Sequence, residues 1–129
     1  MSRRPYLREQ SKSGWWLSQP RYVRYMMREV SAAFIGIYAL ILIIGVHRLS
    51  QGEIAYASFM ASTKGPAGLL FAAAAMLFAV YHTLTWFQVT PKAMPLTLSG
   101  KRVPGGVIVA AHWLGFAVAS AAVWLLVGS

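Results

Sequence analysis

The stretch that decides the fold is VSAAFIGIYALILIIGV, residues 30–46, which contains no Asp, Glu, Lys or Arg. Two further stretches without charged side chains follow, residues 65–91 and residues 103–129. A bilayer core about 30 Å thick takes roughly 20 apolar helical residues to cross. The sequence therefore predicts an all-α integral membrane protein with three transmembrane helices, over about residues 21–49, 66–90 and 104–128.

Composition agrees with a membrane protein and excludes several other classes. Hydrophobic residues make up 57% of the chain and charged residues 12%, against about 25% charged residues in an ordinary soluble domain. The net charge of +9 does not indicate nucleic acid, because no soluble basic surface can be built from so few residues outside the apolar stretches. Cysteine is absent, which excludes disulfides and thiolate metal sites within the chain. We expect one membrane-anchor domain over residues 1–129.

The distribution of Lys and Arg predicts the orientation. Seven lie in the first 28 residues, two in the 47–64 loop and three in the 92–102 loop. Short loops rich in these residues stay in the cytoplasm. We therefore expect a cytoplasmic N-terminus and second loop, and a first loop and C-terminus outside. Residues 1–20, with Trp15 and Trp16, are expected to form a cytoplasmic segment at the membrane surface, where tryptophan rings are enriched.

Few ionisable side chains lie where lipid makes them costly, and these are the candidate functional residues. Glu29 lies where the first helix enters the membrane. It could exchange protons with a lipid-soluble substrate, or it could be a headgroup-level carboxylate paired with Arg24 or Arg28. Arg21, Arg24 and Arg28 share one helix face by their spacing. That face could bind lipid phosphates or an acidic partner protein.

His82 and Trp86 are spaced to share a face of the second transmembrane helix. His82 lies ten residues before Lys92, or about 15 Å along the helix, on the same predicted side of the membrane as Glu29. A packing hydrogen bond could explain a single membrane histidine. The convergence with Trp86 and Glu29 favours a binding site for a lipid-soluble ring.

His112 introduces an alternative. It lies ten residues after Arg102, so its predicted depth equals that of His82. Two histidines at equal depth could be the axial ligands of a haem. If haem is present, His82 and His112 are the candidate metal ligands; otherwise no metal site is expected.

Small residues recur at a spacing of four on each predicted transmembrane helix. Such stripes let membrane helices approach closely. We expect them to pack the three helices against one another and still to leave a face free for a partner. The stripes are Ala32 and Gly36, then Ala75 and Ala79, and finally Ala111, Gly115 and Ala119.

Several short segments together resemble the hydrophobic C subunit of bacterial fumarate reductase, at matching places in the topology. The clearest are YMMRE at residues 25–29 and HTLTWF at residues 82–87, the latter followed by PKA at residues 91–93. Arg4-Pro5-Tyr6, Trp15-Trp16 and Pro20 extend the resemblance to the N-terminus. The third helix is similar mainly in being hydrophobic.

The resemblance implies a subunit of a quinol:fumarate reductase in a bacterial inner membrane, used in anaerobic respiration. The chain would join a second hydrophobic anchor subunit, and the pair would hold a flavoprotein subunit and an iron–sulfur subunit at the cytoplasmic face, giving a heterotetramer. Menaquinol would bind at the subunit interface, while flavin and iron–sulfur clusters would belong to the partners. No haem is expected, and the chain alone would have no activity.

The resemblance also assigns roles to individual residues. Arg28, Glu29, His82 and Trp86 match quinone-site positions. Glu29 would accept a hydroquinone proton, and Arg28 would polarise a quinone oxygen or hold a neighbouring subunit. His82 would form a hydrogen bond deeper in the site, and Trp86 would pack on the ring or its isoprenoid tail. Two alternatives stay open: a haem b anchor of succinate dehydrogenase, and a purely structural anchor whose partners form the quinone site.

Overall fold

The computed structural model describes residues 11–128, so the Arg4-Pro5-Tyr6 segment and the start of the predicted surface segment lie outside the described residues. A 3-10 turn at Trp15–Ser18 precedes the first helix. The four helices are α1 (Pro20–Ser50), α2 (Glu53–Thr63), α3 (Pro66–Ala93) and α4 (Gly105–Gly128). A small antiparallel hairpin joins α3 to α4, with strands β1 (Thr97–Leu98) and β2 (Lys101–Arg102).

Three of these helices, α1, α3 and α4, are long and apolar enough to cross a membrane. The shortest of them, α4, has 24 residues, which is about 36 Å at 1.5 Å per residue and exceeds the hydrocarbon core. The prediction of an all-α membrane protein with three spanning helices is confirmed. The side of the membrane that each terminus faces stays a prediction.

The three long helices form a layer with α3 in the middle. Phe34 of α1 packs on Phe71 and Phe78 of α3, with ring centroids 5.7 and 4.5 Å away. On the other side, Phe87 of α3 meets Trp113 of α4 at 5.1 Å. Within residues 11–128, α1 and α4 make no contact with each other. Each outer helix therefore leaves much of its surface uncovered.

Prolines mark both ends of α3. Pro66 occupies the first turn, where its missing N–H costs no hydrogen bond. Pro91 lies inside the last turn, and α3 continues to Ala93, three residues beyond the predicted end at residue 90. The helix survives there because the Met94 N–H still donates to the Thr90 carbonyl at 2.8 Å, so only one helical hydrogen bond is removed.

The expectation of a simple loop over residues 47–64 is wrong, because α2 occupies most of it. The chain reverses at Gly52, whose φ of 108° suits a residue without a Cβ. It then forms an 11-residue helix that packs against α1 and α3. Eleven residues span about 16 Å, too short to cross a bilayer, so a criterion based on spanning length cannot detect α2.

Two glycines allow α2 to lie this close to its neighbours. A Cβ at Gly45 of α1 would come 2.8 Å from the Phe59 ring of α2. A Cβ at Gly68 of α3 would overlap the Thr63 carbonyl oxygen at the end of α2. Small residues at these positions therefore fix α2 against the pair formed by α1 and α3.

The small-residue stripes only partly pack the three helices together. Ala75 of α3 is buried, as expected for the middle helix. In contrast, Ala32 and Gly36 of α1 and Gly115 of α4 are exposed, and a Cβ at either glycine would meet nothing within 4 Å. The expectation of packing within the chain is wrong for the α1 and α4 stripes, because α3 contacts other faces of those helices.

Candidate functional site

Four side chains meet where the first part of α1 lies beside the second half of α3. Arg28 and Ser31 come from α1, and His82 and Trp86 come from α3; we call these four residues the α1–α3 polar cluster. Residues three or four apart lie on one helix face, so each helix presents a pair to the other. Three members were predicted site residues, and Ser31 was not.

Ser31 forms the centre of the α1–α3 polar cluster. Its hydroxyl oxygen lies 2.6 Å from the Arg28 carbonyl oxygen and 2.9 Å from His82 Nδ1. Its relative exposure is 0%, and no other side chain among residues 11–128 is fully buried. A hydroxyl one turn after Arg28 in an otherwise apolar run is the sequence signal that could have identified it.

Arg28 lies over the indole of Trp86, with its guanidinium carbon 5.4 Å from the ring centroid. This is a cation–π contact, which is worth about 0.5–2 kcal/mol depending on how well water is excluded. Arg28 Nε is buried and has no hydrogen-bond partner among residues 11–128. The guanidinium is therefore held by the ring while retaining an unused donor.

Trp86 also contacts His82, with ring centroids 6.0 Å apart and the planes inclined at 51°. The indole thus links the cation of Arg28 to the imidazole of His82. It remains 42% exposed, so part of its surface is available to another molecule. The prediction that His82 and Trp86 lie together on α3 agrees with this geometry.

Glu29 lies beside the cluster and outside it. It follows Arg28 by one residue, about 100° around the helix, and its side chain is exposed. Within residues 11–128 it forms no ion pair with Arg24 or Arg28, and no hydrogen bond with His82 or Trp86. The structure therefore places Glu29 at the edge of the site, facing away from this chain.

The arginines nearer the start of α1 have separate surroundings. The Arg21 guanidinium carbon lies 5.3 Å from the Tyr22 ring centroid. Arg24 is exposed, and its backbone carbonyl accepts a hydrogen bond from the Tyr81 hydroxyl at 3.2 Å. That bond is a second polar tie between α1 and α3, one turn closer to the chain start than the cluster.

His112 lies apart from His82. Its Nδ1 is 2.7 Å from the Ile108 carbonyl oxygen of its own helix, and its ring packs on Phe87 at 5.3 Å. Phe87 follows His82 by five residues, about 140° around α3. The two imidazoles therefore pack on different sides of α3, whereas two axial ligands of one haem must face a common gap.

A cavity of about 710 Å³ lies at the other end of α1, between α1, α2 and α3. Its walls include Tyr38, Phe59, Phe71 and aliphatic side chains, and none of its lining residues is charged. An apolar molecule could occupy it, but it offers no carboxylate or imidazole for proton exchange. The α1–α3 polar cluster and Glu29, which combine a cation, an imidazole and a carboxylate, lie at the opposite end of α1 from this cavity.

Together these groups suit a flat, lipid-soluble ring with polar oxygens. The exposed indole supplies an aromatic surface, Arg28 supplies a cationic donor, and His82 supplies an imidazole nitrogen. Glu29 supplies a carboxylate within one residue of the cluster. Because the groups lie on the surface of this chain, a partner would be needed to enclose the ring.

Comparison with known proteins gives a consistent answer. Residues 1–128 match the family model that describes the fumarate reductase C subunit. Among similar proteins, the fumarate reductase C subunit of Photobacterium profundum is 32% identical over 126 residues, which cover 98% of each chain. That of Aliivibrio fischeri is also 32% identical over 126 residues, covering 98% of this chain and 95% of the relative.

A third relative provides a further match. The fumarate reductase C subunit of Mycobacterium tuberculosis is 30% identical over 113 residues, covering 87% of this chain and 90% of the relative. The resemblance seen at residues 25–29 and 82–87 thus extends over nearly the whole sequence. With three membrane-spanning helices in the same chain, these matches establish that the protein belongs to the family of fumarate reductase C subunits.

Proposed function

We propose that this chain anchors a quinol:fumarate reductase in the bacterial inner membrane and supplies one wall of its menaquinol site. The observation that carries the proposal is the combination of a partly exposed Trp86, held between Arg28 and His82, with an exposed Glu29 beside them. The second hydrophobic anchor and the iron–sulfur subunit would form the remaining walls. The four chains would form a heterotetramer with the flavoprotein subunit on the cytoplasmic side.

The chemistry of the site follows from the groups present. Oxidation of a hydroquinone releases two electrons, which an iron–sulfur cluster of a partner subunit would accept, and two protons, which would pass one after the other to Glu29. Glu29 accepts a proton and returns it to water at the membrane surface. The Arg28 guanidinium, which lies over Trp86, donates a hydrogen bond to a quinone oxygen. Trp86 packs on the ring, and fumarate is reduced at the flavin of the partner subunit.

Substitution of Glu29 tests the catalytic part of this proposal. In Glu29→Leu we expect quinol oxidation to fall by at least about 100-fold, the usual contribution of a positioned acid–base group, while the assembled complex is still recovered. Glu53→Leu is the matched control, because Glu53 is also exposed but lies in the first turn of α2. Equal losses of assembly and activity in Glu29→Leu would contradict the proton-transfer role.

Substitution of His82 tests the deeper side of the site. For His82→Arg we expect impaired quinol oxidation with the complex still present, because the imidazole is replaced by a longer cation next to Arg28. An unchanged rate would remove His82 from the site. If substitutions at Glu29, His82 and Trp86 all leave the rate unchanged, the chain is a structural anchor and the quinol site belongs to its partners.

The partners are tested by purification of the tagged chain from membranes of anaerobically grown cells, followed by mass spectrometry. We expect a flavoprotein, an iron–sulfur protein and one further small hydrophobic chain. Recovery of the chain alone under conditions that preserve membrane complexes would contradict the anchor function. A haem absorption spectrum that is lost in His112→Leu would instead support the succinate dehydrogenase alternative.

A further inference from the structure

The hydrogen bonds of Ser31 determine which nitrogen of His82 carries a proton. A serine hydroxyl has one hydrogen, yet the Ser31 oxygen has two close neighbours, the Arg28 carbonyl oxygen at 2.6 Å and His82 Nδ1 at 2.9 Å. A carbonyl oxygen has no hydrogen to donate. Two oxygens 2.6 Å apart would repel each other without a hydrogen between them, and this distance is normal for O–H···O. The Ser31 hydrogen therefore points at the Arg28 carbonyl.

In the contact between Ser31 and His82, the imidazole must therefore be the donor. With its hydrogen engaged, the Ser31 oxygen can only accept, so the His82 Nδ1–H donates to it. A neutral imidazole carries one N–H, and its other nitrogen is an acceptor. Ser31 is completely buried, so water does not reach its oxygen to replace the imidazole. His82 Nε2 has no hydrogen-bond partner among residues 11–128.

We propose that Ser31 is a positioning residue that holds His82 with its proton on Nδ1, so that Nε2 accepts a hydrogen bond from a hydroxyl of the bound ligand. The proposal rests on the proposed function, since it assigns a preference to the same quinol site. A hydroquinone has hydroxyl hydrogens to donate to Nε2, whereas a quinone has only carbonyl oxygens there. Ser31 thereby favours binding of the reduced form over the oxidised form.

The tautomer can be measured directly in the purified complex. Nitrogen-15 NMR of histidine-labelled complex in lipid distinguishes a protonated from a bare imidazole nitrogen, and the His82 signals are assigned by their loss in His82→Gln. We expect a protonated Nδ1 and a bare Nε2. A bare Nδ1, or protons on both nitrogens, would overturn the proposal. This measurement needs no quinol, so its outcome is independent of whether the quinol function holds.

Two serine variants test the consequence for binding. Ser31→Thr keeps a hydroxyl that can donate to the same carbonyl. Ser31→Ala removes the hydroxyl, so that Nε2 of His82 can be either bare or protonated. The probes are 2-methyl-1-naphthol, which has a hydroxyl donor, and its methyl ether, which has none. Both are measured as inhibitors of menaquinol oxidation by the complex.

We expect the preference for the naphthol over the ether to fall about fivefold in Ser31→Ala, the worth of one net hydrogen bond, and to be kept in Ser31→Thr. An unchanged preference in Ser31→Ala would overturn the role of Ser31. If Ser31→Ala does not assemble, the NMR result on the unmodified complex decides. Failure of both probes to inhibit, with the expected tautomer present, would instead count against the quinol site itself.

Discussion

Trp86 connects the α3 side chains of the α1–α3 polar cluster with Arg28 of α1. Its indole contacts both the guanidinium of Arg28 and the imidazole of His82. We predict that Trp86→Leu raises the KM for menaquinol about tenfold, because the ring surface is lost and the cation–π contact of about 1 kcal/mol no longer orients Arg28. Trp86→Phe should have a smaller effect. Steady-state kinetics of the complex provide the measurement.

Trp113 provides the control for that prediction. It has the same exposure as Trp86, 42%, but it lies on α4 against Phe87. Trp113→Leu should leave the KM for menaquinol within about twofold of the unmodified complex. If the two variants raise the KM equally, the effect of Trp86 comes from a general loss of aromatic surface rather than from its contacts.

Arg28, His82 and Trp86 could be predicted because charged, imidazole and indole side chains stand out in an apolar sequence. Ser31 was not predicted, since a serine costs little in a membrane helix and its importance depends on an imidazole 51 residues away. Glu29 was predicted as a site residue from its position where the first helix enters the membrane and from the family resemblance. Its side chain is exposed, and the proposed function expects a partner chain to complete its surroundings.

At the scale of the elements, the packing of α2 against α1 and α3 depends on glycines at the points of contact. We predict that Gly68→Ala lowers the thermal unfolding temperature of the complex by several degrees, because the new methyl group would overlap the Thr63 backbone oxygen and α2 must move. Gly106→Ala is the control, as a Cβ there meets nothing within 4 Å. Equal stability of both variants would show that α2 is not fixed by this contact.

The three spanning helices follow from the sequence because about 20 uncharged residues have few alternatives to a membrane helix. The short α2 does not follow from the sequence in this way. Its Ala, Ile, Tyr, Phe and Met residues make the segment apolar, but the segment is too short to span a membrane. The end of α3 shows the same limit. A proline predicts a boundary, but whether the helix ends before it or one turn later depends on hydrogen bonds that the sequence does not display.

At the scale of the whole molecule, the exposed face of α1 is the expected contact with the second hydrophobic anchor. Glu29, Ala32 and Gly36 share one face by their spacing, and all three are exposed. We predict that Gly36→Leu reduces recovery of the partner anchor several-fold, because a large side chain would separate two closely packed helices. Co-purification from native membranes, with equal amounts of the tagged chain, measures the effect.

Gly115→Leu is the matched variant on α4, where a Cβ also meets nothing within 4 Å. We expect a smaller loss of the partner anchor, because α4 contacts α3 and not α1 among residues 11–128, and Glu29 belongs to α1. A loss confined to Gly115→Leu would place the partner on α4 and would separate Glu29 from the subunit interface. Orientation across the membrane is unaffected by either variant and still depends on the Lys and Arg distribution.

The bond from Ser31 to the Arg28 carbonyl also has a consequence for synthesis on the ribosome. At 5–20 residues per second, the 51 residues that follow Ser31 up to and including His82 take roughly 3 to 10 seconds to translate. During that interval the Ser31 hydrogen is already engaged within its own helix, so α1 can enter lipid without an unsatisfied donor. Helix α1, which is synthesised first, therefore already presents the Ser31 oxygen as a hydrogen-bond acceptor. When α3 follows, His82 must carry its proton on Nδ1 to donate to that oxygen.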